Sequence, residues 1–281
     1  MALRGIQPTT VQKRLKALFY GNSGVGKTTA CISFPKVYLV DTERGSENDQ
    51  YVKILRENGG AVFQTCDFDE LIIEVKALLT ETHEYKTLVI DPLTNLYNDL
   101  LEKSEKLVGS DFGKHYACAN KKMKHLMNLL IRLDMNVLVT AHAKNEYGQN
   151  LSVLGSTFDC YKKIDYLMDL VFEIQKRGKE RVGIVKKSRI ESFPDTETFP
   201  FSYNEIAKRY GRDVLERDAI AQELAAPEQV KELVRLIELI KVPEDVSQKW
   251  LDKSSSEKWE EMPADAIQKC ITYLTKKIQG E

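Results

Sequence analysis

Four short runs of consecutive apolar residues punctuate the first half of the chain: ALFYG at 17–21, VYLVD at 37–41, TLVID at 87–91 and NVLVTAH at 136–142. Their apolar residues fall on successive positions, not alternate ones, which predicts strands buried on both faces of a parallel sheet. AVFQTC at 61–66 reads as a fifth strand. Between the runs the period becomes helical: in FDELIIEVKALLTETHE, Leu71, Ile72, Val75, Leu78 and Leu79 form one stripe. Strand and helix in alternation predict a doubly wound α/β sheet with helices on both faces.

The pattern changes after residue 165. LMDLVFEIQKRGKERVGIVKKSRI reads as two strands joined by a polar turn around Gly178, an antiparallel pair added to the sheet edge. FPFSYNEIAKRYGRD closes that unit, and 214–225 reads as a charged helix. From Pro227 the chain is helical: Val230, Leu233, Val234, Ile237 and Ile240 share a face, and further helices follow Pro243 and Pro263. The expected organisation is an α/β domain over 1–222 and a small all-α module over 226–281, the latter near the size at which a domain stops being stable alone.

Composition then narrows the class. With 42% hydrophobic and 30% charged residues and a formal net charge of -1, the chain reads as globular, and any polyanion-binding surface must be local. No apolar run reaches the ~18 residues of a membrane span. The start, MALRGIQPTTVQKRLK, is too polar for a secretory signal. Five scattered cysteines without metal-ligand spacing read as reduced thiols, so the expected location is cytoplasmic.

The first strand runs into Gly21-Asn22-Ser23-Gly24-Val25-Gly26-Lys27-Thr28-Thr29, a phosphate-binding loop between a predicted strand and a predicted helix. Glycines let successive backbone N–H groups point at phosphate oxygens. Lys27 is expected to reach the β- and γ-phosphates, and the Thr28 hydroxyl to ligate Mg²⁺. Asp91, ending an apolar strand, is the expected acid of the Mg²⁺ shell. Asp41 and Glu43 end the strand at 37–41, on the carboxyl edge where ligands bind in open α/β sheets. Glu43 is the candidate general base, against a solvated loop with a capping Asp.

YGNSGVGKTT, VDTERG, VIDPLTNLY, VLVTAHAKNEYG and VGIVKKSRIESFPDTETFPFSY, in this order and spacing, resemble the phage-encoded RecA-like P-loop ATPases of the Sak single-strand annealing group, over roughly residues 12–215. The tail from Ala225 resembles a helical module that ends several phage recombination proteins. The resemblance implies a RecA-like core, ATP and Mg²⁺ as cofactors, single-stranded DNA as partner, assembly into a homo-oligomer, and a tail that recruits a single-strand-binding protein. Glu43 matches the glutamate that polarises the attacking water. His142 stands where a polar residue senses the γ-phosphate in such proteins, although by itself it reads rather as a satisfied strand-end histidine. Lys187 and Arg189 resemble a Lys-x-Arg pair that reaches a neighbour's nucleotide; the plain alternative is an edge strand protected by charge. The stretch after His142 stands where such proteins hold DNA. Its Lys144, Tyr147, Phe158, Tyr161, Lys162 and Lys163 suit base stacking and backbone contact, and suit equally a long loop packed by its own aromatics. The basic stretch 113–125 reads as a solvated helix face. Two functions follow: a DNA-stimulated recombination ATPase, or a nucleotide-switched mediator with little turnover.

Overall fold

A computed structural model describes residues 12–147 and 152–279. The strands β1 (Lys16–Gly21), β2 (Val37–Asp41), β3 (Ala61–Gln64), β4 (Thr87–Asp91) and β5 (Asn136–Tyr147) alternate with the helices α1 (Lys27–Ile32), α2 (Asp49–Glu57), α3 (Phe68–Thr80), α4 (Leu93–Val108) and α5 (Lys114–Arg132). They continue into β6 (Val153–Asp159), β7 (Leu170–Arg177), β8 (Glu180–Ser188) and β9 (Thr198–Pro200). Among the described residues these strands make one sheet in the order β3-β2-β4-β5-β1-β7-β8-β9, with β6 on the extension of β5. The strands from β3 to β7 are parallel, while β6, β8 and β9 pair antiparallel. This is the mostly parallel, doubly wound sheet with an antiparallel edge that the apolar runs imply.

The consecutive apolar residues split between two cores. Leu18, Tyr20, Val40, Leu88, Ile90, Val137 and Val139 face α3, α4 and α5, whereas Ala17, Phe19, Leu39, Val89 and Leu138 face the side of α1. Both faces being covered, the central positions are mostly apolar, and buried polar residues such as Lys16, Thr87, Asn136 and Thr140 are few. Asp67 caps α3 by accepting from the N–H groups of Asp69 and Glu70. On the α1 side, α6 (Tyr203–Tyr210) and α7 (Arg212–Glu216) complete the layer.

The charged helix expected over 214–225 does not form. Beyond α7 the backbone is claimed by other elements: Gln222 N–H donates to Leu79 O at 2.7 Å, Ala225 N–H to Met262 O at 2.8 Å, and Glu223 O accepts from Ala264 N–H at 3.0 Å. These long-range bonds override local helix propensity. Three helices follow, α8 (Pro227–Ile240), α9 (Glu244–Lys253) and α10 (Ala264–Gln279), around their own core of Leu233, Leu236, Leu251, Met262, Ile267, Ile271 and Leu274. They meet the α/β layers through Lys76–Glu261 at 2.8 Å and through Arg132, which donates to Ser256 Oγ at 3.2 Å and Glu261 O at 2.7 Å. Among the described residues no helix is long and apolar enough to cross a membrane.

Candidate nucleotide site

The loop between β1 and α1 turns at Gly24 and Gly26, whose φ angles of 73° and 95° suit glycine. Lys27 is nearly buried at 9% exposure; its ammonium donates to Gly21 O at 2.9 Å and Asn22 O at 3.0 Å. The lysine thus folds back on the loop it serves. Burial lowers its pKa, against the opposing pull of Asp91 and Glu43.

Sheet register delivers the acids. β2 and β4 pair Asp41 with Asp91, and β1 and β5 pair Gly21 with His142, so the loop, both strand-end acids and the histidine share one edge. Asp91 is buried, and burial raises its pKa; the Thr140 hydroxyl donates to Oδ1, and the Thr28 side chain also bonds to it. A buried carboxylate beside two hydroxyls, with Lys27 within electrostatic reach, is a hard oxygen donor set that fits Mg²⁺. Among the described residues no cluster of three or more His, Cys, Asp or Glu offers another metal centre.

Asp41 and Glu43 have different tasks. The Asp41 carboxylate accepts from the backbone N–H groups of Glu43 (3.0 Å), Gly45 (3.3 Å) and Ser46 (2.8 Å), and from the Ser46 hydroxyl. Its oxygens are spent on holding the turn that presents Glu43. Glu43 Oε1 lies 3.0 Å from His142 Nε2 and accepts from Asn95 Nδ2 at 3.3 Å. The His142 N–H donates to Thr94 Oγ1 at 3.0 Å, and that hydroxyl donates to Asp159 O at 2.8 Å. Asn95, Thr94 and Thr140 carry no motif of their own. Only the strand register and the first turn of α4 bring them to the site, so a pass along the sequence misses them.

The stretch after His142 is not a loop. β5 continues to Tyr147 and pairs with β6 as a ribbon, because the backbone beyond the sheet edge finds partners there. Lys144 lies 2.8 Å from Asp159. Phe158 packs edge-on against Tyr20 at 6.1 Å, and Tyr161 is 7% exposed with its ring 6.0 Å from Tyr97. Tyr161 is therefore largely a core residue at the wall of the groove that Lys162 and Lys163 rim, and Phe158 is half-buried against the core. The side chain of Tyr147 lies outside the described residues. Lys162 and Lys163 are exposed and rim a groove of about 600 Å³ that also takes in Tyr97, Tyr116, Asn120 and Lys144. Tyr116, 51% exposed on α5, is an available aromatic that the sequence did not single out. The lysines at 121, 122 and 124 point to solvent, as a solvated helix face should.

Lys187 and Arg189 lie away from the loop. Lys187 pairs with Val171, which is level with Leu18, and its ammonium donates to Met168 O at 3.0 Å and to Asp165 O. Arg189 donates to Tyr166 O at 2.8 Å and stands 3.8 Å from Asp169. Neither reaches the nucleotide loop of its own chain.

A family model for the AAA domain matches residues 13–198. No curated protein matches this chain. Among solved structures, one titled crystal structure of the RadB recombinase aligns with 17% identity and a TM-score of 0.42, covering 66% of this chain and 84% of that one.

Proposed function

From the premise that the chain belongs to the AAA-domain family of P-loop proteins, we propose that it is a Mg²⁺-dependent ATPase that binds single-stranded DNA and promotes homologous recombination by annealing or strand exchange, as the phage-encoded Sak group it resembles. The observation that carries this reading is the contact between Glu43 and His142. Glu43 is the acid proposed to orient an attacking water, and His142 is the first β5 residue to pair with β6, whose end at Asp159 leads into the lysine-rimmed groove. One hydrogen bond therefore joins the hydrolytic edge to the surface proposed for DNA.

The roles follow from placement. The loop from Gly21 to Thr29 holds the triphosphate, with Lys27 leaving Gly21 O and Asn22 O for phosphate oxygens. Thr28 and Asp91 would hold Mg²⁺, which would offset the negative charge of the phosphates. Burial disfavours the ionised form of Asp91, and a cation held there would favour it. Glu43 accepts the proton of the attacking water. Lys144, Lys162, Lys163 and the exposed Tyr116 take the DNA backbone and bases, an association that weakens with salt. Lys187 and Arg189 face a neighbouring subunit in a homo-oligomer.

A second reading, a mediator with little turnover, is favoured by one feature of the helical tail. Trp250, Met262, Cys270 and Tyr273 line a groove of about 360 Å³ edged by Lys253 and Lys269, suited to an apolar, acidic segment of a single-strand-binding protein. The variants Lys27→Ala and Tyr273→Ala separate the two. For an ATPase, Lys27→Ala abolishes hydrolysis and Tyr273→Ala leaves it intact. Hydrolysis retained by Lys27→Ala refutes the site, and a wild type that binds ATP without turning it over favours the mediator.

A further inference from the structure

The antiparallel hairpin of β7 and β8 runs past the edge of the sheet beside the nucleotide loop. β7 pairs with β1 as far as Tyr20 and Glu173, so the residues beyond stand above the end of β1. Along β7, Phe172 and Ile174 face the core on the α1 side. The next residue on that face is Lys176, and the residue opposite it in β8 is Arg181. The apolar row thus turns cationic where it passes the loop.

Arg181 lies directly on Gly26. A Cβ at Gly26 would stand 2.3 Å from Arg181 Nε and 2.6 Å from its Cδ, so the arginine side chain rests against the backbone of the loop. Lys176 lines, with Gly21, Asn22, Val25, Lys144 and Glu173, a cavity of about 650 Å³ beside the loop. Among the described residues neither Lys176 nor the Arg181 guanidinium has an ion pair or a side-chain hydrogen bond. Two unpaired cations beside the loop, one against Gly26 and one in the cavity at Gly21, make a place that an anion completes.

We propose that Arg181 is a nucleotide-binding residue supplied in cis, its guanidinium closing over the Gly21–Thr28 loop onto the phosphate oxygens, with Lys176 adding charge from the opposite strand. The inference rests on the nucleotide-binding reading above. It gives β8 two different ends: Arg181 at its own chain's loop and, about 20 Å along the strand, Lys187 and Arg189 at the other edge. Arginine suits this place because its fork can engage two phosphate oxygens at once.

The test is the affinity for a fluorescent ATP analogue, measured on full-length protein at two protein concentrations. Arg181→Ala should weaken binding roughly tenfold, and Arg181→Lys should recover part of it. Arg177→Ala, on the other face of the same hairpin, should bind as wild type, and Arg181→Ala should melt as wild type without nucleotide. Affinity of Arg181→Ala within twofold of wild type overturns the proposal. A loss that emerges only at the higher protein concentration overturns the cis assignment, since it would place the arginine in a neighbour's site. A wild type that binds no better than Lys27→Ala instead overturns the nucleotide reading on which the proposal stands.

Discussion

Asp41 and Glu43 stand two residues apart, and the first fixes the second: three backbone N–H groups and a hydroxyl converge on Asp41, leaving Glu43 as the acid that faces the nucleotide edge. Glu43→Gln keeps the shape and the contacts to Asn95 and His142 but removes the base. Nucleotide binding should persist while hydrolysis falls roughly 10²- to 10⁴-fold, as read by single-turnover kinetics. Lys16 tests a different point. It is buried at the start of β1, donating to Leu133 O at 2.8 Å and Met135 O at 2.9 Å, and burial brings its pKa down to about 7. Between pH 7 and the ordinary lysine value the unfolded chain holds more protons, so this group's contribution to stability grows as pH rises and is lost as pH falls toward 7. Thermal melts of wild type and Lys16→Met over that range should diverge by up to about 1.4 kcal/mol per pH unit, and parallel curves would refute the assignment. The glycines, Lys27 and Asp91 are legible in the sequence because spacing along the chain carries them. Asn95, Thr140 and Arg181 are not, because only the pairing of distant strands and the close approach of β8 to Gly26 bring them in.

At the scale of elements, buried strands were legible because both faces are covered and most of their positions are apolar. The stretches governed by long-range backbone bonds were not. Residues 217–225 look helical by composition, yet their N–H and C=O groups answer to Leu79, Met262 and Ala264. The β5–β6 ribbon reads as a loop because its strands are polar beyond the sheet edge, where half of each faces solvent. That ribbon makes a prediction of its own. His142 is the residue at which β5 passes from pairing with β1 to pairing with β6, and it touches Glu43. His142→Ala should therefore keep a basal ATPase rate within a fewfold of wild type but lose stimulation by DNA. Equal stimulation in the variant would mean that the ribbon does not relay the state of the site.

In the whole molecule the two edges of the sheet have separate work. One gathers the phosphate loop, Asp91, Glu43 and His142; the other holds Lys187 and Arg189 on the carbonyls of residues 165–168. The helical tail adds a third surface, fastened to α3 and α5 through Glu261 and Ser256. Such a division suits a protein whose turnover answers to what lies on its surfaces, and the proposed DNA groove sits one strand from the hydrolytic edge. The most direct measurement is ATP hydrolysis by the full-length protein with and without single-stranded DNA, at low and high salt. A several-fold rise with DNA at low salt that fades at high salt is the expected result. A rate unchanged by DNA, with nucleotide bound, would contradict the coupling through Glu43 and His142.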